Sequence, residues 1–325
     1  MEIVSVIVFC YNSSNTVLET LNSIYNQTYK DINLIVSDDC SKDNTVDIVK
    51  AWVVTHSSRF NNVSVIKNEI NVGTSAHMNL RINEVQTKWI KTIAGDDILL
   101  PDCIANDITY AKKKKLDGIL ISYMCPFHDE GTQRQYTLDF DEISYINKVA
   151  KADAPAQYKM LLQRDVLCSP TIFFNKDFYT AVGGCNESYR NIEDWPLKIK
   201  AAEKGYKLVL MKKFTVLYRM GTSISRSDDH MFNTEFINRF KELKTSECYP
   251  NIPRKNINYY YKEFITNLRF ETVIRMGNNR DTKTKIINYS LALLNPDKFR
   301  KSIVNTINRN STEKMLSALK LRYGL

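Results

Sequence analysis

Three pairs of adjacent acidic residues are the side chains in this sequence best suited to chemistry: Asp38-Asp39, Asp96-Asp97 and Glu193-Asp194. Neighbouring carboxylates repel one another and are costly to bury unless a cation joins them. A divalent metal ion with oxygen ligands can play that part, and it can also bind a diphosphate. An ionised carboxylate can instead accept an N–H or take a proton from a hydroxyl. These pairs predict metal binding, base recognition and general-base chemistry.

Asp96-Asp97 directly follows an apolar run over residues 88–94 and is the best candidate for a metal site. The alternative is a solvated turn that leads into a helix at Pro101, with Asp102 as its cap.

Asp38-Asp39 follows a second apolar run, over residues 32–36, and a carboxylate there can accept the N–H of a pyrimidine base. The alternative is a helix cap, because Ser41, Asp43 and Asn44 all suit the start of the next helix.

Glu193-Asp194 lies just before a helix of about residues 196–204, whose dipole favours the ionised form that a general base needs. The alternative is the ordinary preference of acidic residues for helix N-termini.

The elements that must position these pairs alternate between strand and helix. Apolar, β-branched runs predict strands at residues 3–9, 32–36, 63–67, 88–94, 117–123, 170–174 and 207–211. Helical spacing predicts helices between them, for example over residues 75–85 and 102–114. This order predicts a mostly parallel sheet with helices on both faces, and in such folds ligands bind at the carboxyl ends of the strands. Residues 125–165 are polar, rich in Asp and Gln, and lose the clear alternation, which indicates an insertion or a variable region beside the site.

Composition and charge limit the classes of protein to which this chain can belong. The chain has 325 residues with a net charge of +9, and no apolar run approaches the ~20 residues of a membrane span. Seven scattered cysteines without a C-x-x-C pair indicate reduced thiols in a cytosolic protein. Residues 236–325 hold 18 Lys and Arg against 7 Asp and Glu. That excess suits an anionic partner such as a membrane surface, whereas ordinary solvated helix faces are the alternative.

Taken together, these segments resemble glycosyltransferase family 2, the inverting nucleotide-sugar transferases of the GT-A fold. Six motifs in the family's order carry the resemblance, which covers about residues 1–225: Ser5-Val6-Ile7-Val8 with Tyr11-Asn12, Asn26-Gln27-Thr28-Tyr29, residues 35–43, Asn71-Val72-Gly73-Thr74-Ser75, residues 95–102 and Glu193-Asp194-Trp195-Pro196-Leu197. The resemblance implies a Rossmann-like α/β sheet and a mainly helical C-terminal region. We expect a transferase domain over residues 1–230 and a basic helical region over residues 231–325.

The resemblance also implies roles for individual residues. Asp39 would pair with the uracil of a UDP donor. The other residues expected at the donor are Phe9, Tyr11, Asp38, Asn71, Gly73 and Asp96. Asp97 would bind Mn²⁺ or Mg²⁺ directly, with Asp96 beside it. Asp194 would be the catalytic base, and Glu193 the second candidate.

Two departures from the family pattern concern the donor pocket. His77-Met78-Asn79 replaces the usual Ala-Arg-Asn, so an arginine that often lines the pocket is missing. Residues 218–225 resemble a loop that often carries a histidine, where this chain has Met220 or Gly221. His230 is a candidate substitute.

The resemblance implies a metal-dependent, non-processive hexosyltransferase that moves one sugar to a glycan or glycolipid. We expect a polyprenyl-diphosphate-linked acceptor of bacterial surface polysaccharide, at the cytoplasmic face of the membrane, because the basic, aromatic C-terminal region suits that surface. The alternatives are a sugar-phosphate nucleotidyltransferase and a catalytically inactive nucleotide-sugar-binding relative. Nucleic acid is not an expected partner, since no recognition module is present in the sequence.

Overall fold

A computed structural model describes residues 2–131, 133–221 and 230–325 of the chain. Within them the chain divides into two units. The first comprises Met1–Thr137, Ile146–Leu161 and Val166–Met220, and the second comprises Leu138–Tyr145, Leu162–Asp165 and Gly221–Leu325. Two short segments, Leu138–Tyr145 and Leu162–Asp165, therefore belong to the second unit, although the sequence analysis expects them in the first domain. The domain boundary at residue 230 stays a prediction.

One mixed sheet runs through the first unit. Its strands are β1 (Val4–Cys10), β2 (Ile32–Asp38), β3 (Asn62–Lys67), β4 (Trp89–Ala94), β5 (Ile98–Leu99), β6 (Ile119–Glu130), β7 (Gln133–Tyr136), β8 (Phe173–Asn175) and β9 (Leu208–Arg219). The strand order is β3-β2-β1-β4-β8-β6-β9-β5, with β7 paired to β6. β3, β2, β1 and β4 are parallel, as are β6 and β9, whereas β8 is antiparallel to both of its neighbours. The predicted mostly parallel α/β sheet is confirmed.

Helices cover the sheet because the strands are apolar on both faces. Six of the seven residues of β1 are buried, which requires a packed layer on each side. The helices of this region are α1 (Val17–Tyr25), α2 (Thr45–His56), α3 (Thr74–Glu84), α4 (Cys103–Lys114), α5 (Phe140–Lys151), α6 (Ala154–Gln163), α7 (Lys176–Val182) and α8 (Asp194–Glu203). The carboxyl ends of β1, β2 and β4 lie in register, with Phe9 opposite both Ser37 and Ala94. The residues that follow these strands therefore share one edge of the sheet.

The segment over residues 125–165, expected as an insertion or variable region, consists of regular elements. β6 continues to Glu130 and turns back through β7, and two helices follow. Polar residues in this segment obscure the strand and helix patterns in the sequence. In the structure they include a buried side chain with its hydrogen bonds satisfied. Gln157 is fully buried, donates to the carbonyl oxygens of Val149 and Leu208, and accepts from the Leu208 N–H. Composition alone cannot distinguish such a satisfied buried side chain from a loop residue.

The second unit is mainly helical, as predicted. Its helices after residue 230 are α9 (Thr234–Leu243), α10 (Ile257–Arg275), α11 (Thr282–Leu293), α12 (Pro296–Ile307) and α13 (Arg309–Tyr323). Asparagine or aspartate side chains accept a backbone N–H at the starts of α9, α10, α11 and α12, which satisfies N–H groups that have no helical partner. In the described residues, no helix has the length and hydrophobicity needed to span a membrane.

Candidate functional site

The carboxylate of Asp39 is fixed by the loop that precedes α3. Asp39 is 4% exposed, and its backbone N–H donates to the carbonyl oxygen of Cys10 at the end of β1. Its Oδ1 accepts from Val72 N and Asn68 Nδ2 at 3.0 and 2.8 Å, and its Oδ2 accepts from Gly73 N at 2.8 Å. Three N–H donors favour an ionised carboxylate in one orientation.

Asp38, the last residue of β2, organises the turn beside Asp39. Both of its oxygens accept from Ser41, one from the backbone N–H and one from the hydroxyl. The Ser41 hydroxyl oxygen in turn accepts from Asn12 N at 2.8 Å. This chain of bonds joins the loop after β1 to the loop after β2. Tyr11 stands in the first of these loops and is 39% exposed, so its ring is open to an incoming group.

Asn71 and Gly73 are held against an arginine that the sequence analysis did not single out. Arg190 Nη2 donates to Oδ1 and to the carbonyl oxygen of Asn71 at 2.5 and 2.6 Å. Gly73 has a φ of +84°, and a Cβ there would lie 2.2 Å from Cγ of Arg190. Glycine is therefore required at this position for both conformation and space. Arg190 supplies a cation near the expected donor-binding residues, where the family's usual helix arginine is missing.

The side chains of Phe9 and His77 pack against each other next to these residues. Their rings meet edge to face at 4.9 Å, and His77 Nε2 lies 2.6 Å from the hydroxyl oxygen of Ser37. His77 is 2% exposed. Burial lowers the pKa of His77 to about 4, although the charge of Asp39 opposes the shift. His77, which stands where the family pattern has alanine, is therefore a neutral imidazole at physiological pH.

Asp97 is a buried carboxylate at the end of β4. It is 1% exposed, its Oδ1 accepts from Arg219 N at 2.9 Å, and its carbonyl oxygen accepts from Thr20 Oγ1 at 2.7 Å. Burial, followed by the neighbouring charge of Asp96, raises the pKa of Asp97 well above its ordinary value. Two adjacent carboxylates with too little compensating charge fit a hard divalent cation by donor type and by electrostatics.

The part of the chain that the structure describes holds no group of three or more His, Cys, Asp or Glu side chains able to bind a metal ion. Asp96 and Asp97 therefore offer two protein carboxylates. His230 belongs to the second unit, where its carbonyl oxygen accepts from Arg280 Nε at 2.9 Å. Its role as a substitute ligand stays a prediction. Residues 222–225 of the expected C-terminal loop lie outside the described residues.

Arg219, at the end of β9, is the second arginine that the sequence analysis did not assign to the site. Its Nε donates to the carbonyl oxygen of Asp96 at 2.9 Å, and its two terminal nitrogens bind Glu19 and Asp129. The guanidinium group is 4.7 Å from the ring centre of Phe127. Arg219 stands beside Tyr218 in the segment that resembles the family's C-terminal loop, which could have indicated a role at the site. Its distance along the chain from Asp96-Asp97 gave no indication that they touch.

Glu193 and Asp194 begin α8 and differ in what their oxygens contact. Glu193 accepts from Thr74 Oγ1 at 2.7 Å and from Ser169 Oγ at 3.4 Å. Asp194 Oδ2 forms an ion pair of 2.8 Å with Lys198, which is fully buried and also donates to the Val166 carbonyl oxygen at 2.6 Å. Among the described residues no hydrogen bond reaches Asp194 Oδ1. Burial, and then the charge of Asp194, raises the pKa of Glu193.

Short contacts link the three acidic pairs. Gly73 N donates to Asp39 while Thr74, the next residue, donates to Glu193, so the fourth sequence motif joins the third to the sixth. The loops that carry Asp38-Asp39 and Asp96-Asp97 meet at the end of β1, where Asp39 N donates to the carbonyl oxygen of Cys10 and Gly95 N to that of Phe9, each at 2.9 Å. The arrangement can hold an anionic, base-bearing ligand and present a carboxylate to it.

Comparisons with known proteins concern the family and the fold. The model of the family described as "Glycosyl transferase family 2" matches residues 5–175, more than half of the chain. The Escherichia coli UDP-Glc:alpha-D-GlcNAc-diphosphoundecaprenol beta-1,3-glucosyltransferase WfaP is 25% identical over 244 residues, which are 75% of this chain and 83% of that protein.

Two solved structures share the fold at low identity. S. aureus TarS 1-349 in complex with UDP-GlcNAc matches with a TM-score of 0.52 and 16% identity, over 99% of this chain and 92% of TarS 1-349. The mannosyltransferase PcManGT from Pyrobaculum calidifontis in complex with GDP-Man and Mn²⁺ matches with a TM-score of 0.51 and 16% identity, over 98% and 81% of the two chains.

Proposed function

The chain belongs to glycosyl transferase family 2, and we propose that it is an inverting enzyme that transfers one sugar from a UDP-sugar to a polyprenyl-diphosphate-linked saccharide. The observation that carries the proposal is the linkage of Asp39 and Glu193 through Gly73 and Thr74, which brings a base-recognition carboxylate and a catalytic pair to one site. That the chain is a glycosyltransferase follows from the family; the donor, the acceptor and the residue roles are proposals.

A uridine donor is supported by the chemistry of Asp39. A fixed, ionised carboxylate is a good acceptor for the imide N–H of uracil, and the exposed Tyr11 ring offers a surface for the base. TarS is a fold relative whose structure contains UDP-GlcNAc, and WfaP is named for a UDP-glucose donor. Phe9, Asn71 and Gly73 would complete the donor pocket.

In the proposed reaction, Asp194 is the general base. Its Oδ1 takes the proton of the acceptor hydroxyl while that oxygen forms a bond to the anomeric carbon of the sugar. The bond from the anomeric carbon to the diphosphate oxygen breaks on the opposite face, which inverts the configuration and releases UDP. Lys198 holds the other oxygen and so orients the carboxylate. Glu193 is the second candidate, but both of its oxygens already accept hydrogen bonds.

Asp96 and Asp97 would hold a divalent cation, Mn²⁺ or Mg²⁺, which supplies positive charge against the negative charge that develops on the leaving diphosphate. The proposal is supported by the adjacent carboxylates and by the raised pKa of Asp97, which reflects burial first and the charge of Asp96 second. Arg219 orients this pair through its backbone N–H and its side chain.

The acceptor is proposed from the named activity of WfaP, which acts on a diphosphoundecaprenol-linked sugar. Such an acceptor is anchored in the membrane, so the enzyme would work at its cytoplasmic face, in surface-polysaccharide assembly. The transferase domain would then be residues 1–230, and residues 231–325 would be the region that meets the acceptor or the membrane. The basic charge of that region supports this division.

A product assay tests the proposal. The enzyme is incubated with single UDP-sugars, a synthetic GlcNAc-diphosphate-lipid and Mn²⁺, and UDP release and the lipid product are measured. We expect release that depends on both acceptor and metal, that stops with EDTA, and that yields a product of inverted anomeric configuration by NMR. GDP-mannose serves as the matched donor control. Acceptor-independent pyrophosphate release would support a nucleotidyltransferase, and donor binding without any transfer would support an inactive relative.

A further inference from the structure

Helix α10 in the second unit exposes a continuous apolar stripe. Four large side chains recur at helical spacing on one side of it, with exposed fractions of 37–77%: Ile257, Tyr261, Phe264 and Leu268. Residues spaced by three or four positions lie on the same face of a helix. A stripe of this size facing water is unfavourable unless something covers it.

Helices α11 and α12 continue the pattern. Each has three exposed apolar residues at helical spacing, with exposed fractions of 43–75%: Ile286, Tyr289 and Leu293 on α11, and Phe299, Ile303 and Ile307 on α12. Among the described residues of α12 none is buried, and α11 buries Thr284 alone. These two helices therefore contribute most of their apolar side chains to the surface rather than to a core.

One residue of the α10 stripe, Tyr261, reaches the turn between α11 and α12. Tyr261 Oη donates to the carbonyl oxygen of Leu294 at 3.4 Å, and Asn295 Nδ2 donates to Thr266 Oγ1 at 3.1 Å. Lys262 forms an ion pair of 2.8 Å with Asp297 in the first turn of α12. The middle of α10 is thereby held against the turn, and the exposed Leu294 lies beside Tyr261. We call the three stripes together the α10–α12 face.

The segment that carries this face has an excess of positive charge. Residues 257–307, from α10 through α12, contain nine Lys and Arg but four Asp and Glu. Lys283 and Lys285, on α11 next to Ile286, are exposed, and no acidic group among the described residues lies within ion-pair distance of either. Apolar side chains bordered by unpaired lysines match a surface that is apolar inside and anionic outside.

We propose that the α10–α12 face docks on an anionic lipid bilayer, with its apolar side chains among the acyl chains and Lys283 and Lys285 at the lipid phosphates. This deepens the proposed function, on which it rests for its biological purpose, because it names the surface that would bring the enzyme to a lipid-linked acceptor. A second copy of the chain is a poorer occupant, since two faces of the same positive charge repel one another.

The test is vesicle co-sedimentation of the full chain. The probes are vesicles of phosphatidylglycerol and phosphatidylcholine, with pure phosphatidylcholine vesicles as the charge control. We expect binding to the anionic vesicles at low salt and weaker binding at high salt. The double variant Lys283→Ala/Lys285→Ala should lose about fivefold in partitioning for each lysine. The double variant Ile286→Gln/Tyr289→Gln should lose about tenfold or more.

A matched control removes two exposed apolar side chains from the first unit. Val54→Gln/Leu80→Gln, at positions 81% and 43% exposed, should bind vesicles as the unmodified chain does. Equal binding by the α11 variant and the unmodified chain would overturn the proposal, as would no binding of the unmodified chain to anionic vesicles. Light scattering that shows a dimer, disrupted by Ile286→Gln/Tyr289→Gln and without vesicle binding, would assign the face to a second copy.

Calorimetry of UDP-sugar binding, run on the same samples, separates the two proposals. Donor binding without vesicle binding overturns only the docking face. Vesicle binding without donor binding overturns only the proposed function. Thermal melting of each variant shows whether a loss of vesicle binding reflects unfolding.

Discussion

The backbone N–H of Arg219 donates a hydrogen bond of 2.9 Å to Oδ1 of Asp97, although the two residues are 122 positions apart in the chain. The side chain of the same arginine donates to the carbonyl oxygen of Asp96. The last residue of β9 therefore orients both residues of the acidic pair that follows β4. Thr20 Oγ1 adds a further contact, to the carbonyl oxygen of Asp97 at 2.7 Å.

Arg219→Ala should weaken metal-dependent UDP binding by about tenfold, the cost of one lost hydrogen bond to a charged group. The variant keeps the backbone N–H to Asp97 but loses the contact with Asp96. It also leaves Arg134 as the one arginine of the two that pairs with Glu19 and Asp129. Isothermal calorimetry with UDP and Mn²⁺ measures the effect. Arg239→Ala, which removes a pair with the exposed Glu235, is the matched control. Unchanged affinity in Arg219→Ala would show that the loop after β4 is rigid without it.

Asp97→Asn should make the metal-free protein more stable and abolish metal-dependent UDP release. The pKa of Asp97 is raised by burial, so the ionised carboxylate costs stability: the native fold loses free energy of unfolding as the pH rises from the ordinary aspartate pKa through the raised one. Asparagine has nearly the same shape but carries no charge, so it removes that loss. It should raise the free energy of unfolding by more than about 1 kcal/mol at pH 7. Denaturant unfolding without metal and a UDP-release assay with Mn²⁺ check the two effects. Asp117→Asn, at an exposed position, should change neither.

Asp194→Asn should reduce sugar transfer by about a thousandfold while UDP-sugar binding stays within about twofold, the pattern for loss of a general base. Glu193→Gln should keep most of the activity, because both oxygens of Glu193 already accept hydrogen bonds from Thr74 and Ser169. Single-turnover rates and donor calorimetry distinguish the two carboxylates. Normal turnover by Asp194→Asn would reject it as the base.

The same substitution should also lower stability. Lys198 is fully buried, and Asp194→Asn removes its carboxylate partner. Removing one partner of a buried ion pair lowers the free energy of unfolding by about 3 kcal/mol. A thermal melt of the variant measures this loss, and the kinetic comparison therefore belongs well below the melting temperature. Lys198→Met/Asp194→Asn, which removes both charges, should recover part of the lost stability.

His77 should make the fold sensitive to mild acid. Burial lowers the pKa of His77 to about 4 in the folded protein, so the unfolded chain takes up a proton first as the pH falls. Stability is therefore full above about pH 6.5 and declines toward pH 4, by at most about 3 kcal/mol. The difference in free energy of unfolding between the unmodified chain and His77→Gln, followed by denaturant titration, isolates this contribution from the titrating carboxylates. A difference that does not change with pH would contradict the assignment.

Much of the first unit was predictable from local pattern. The apolar runs at residues 3–9, 32–36, 63–67 and 88–94 all form strands, with ends within one or two residues of those predicted. A strand buried on both faces needs a continuous apolar run, which is a property of neighbouring residues. The same reasoning fails over residues 125–165, where Gln157 is polar but buried and paired. Two of its hydrogen bonds are with Leu208 in β9, 51 positions away and outside any local window.

The sequence by itself determined which carboxylates stand at the ends of strands, because strand period, strand length and the position of an acidic pair are local properties. The tertiary structure decided what each carboxylate touches. Arg190 reaches Asn71 across 119 positions, and Thr74 reaches Glu193 across the same separation. These contacts depend on the order of the strands in the sheet. That order brings loops that are distant in the chain to one edge of the sheet. Hydrogen bonding and burial set the orientation and protonation of the site, and both arise only when those loops meet.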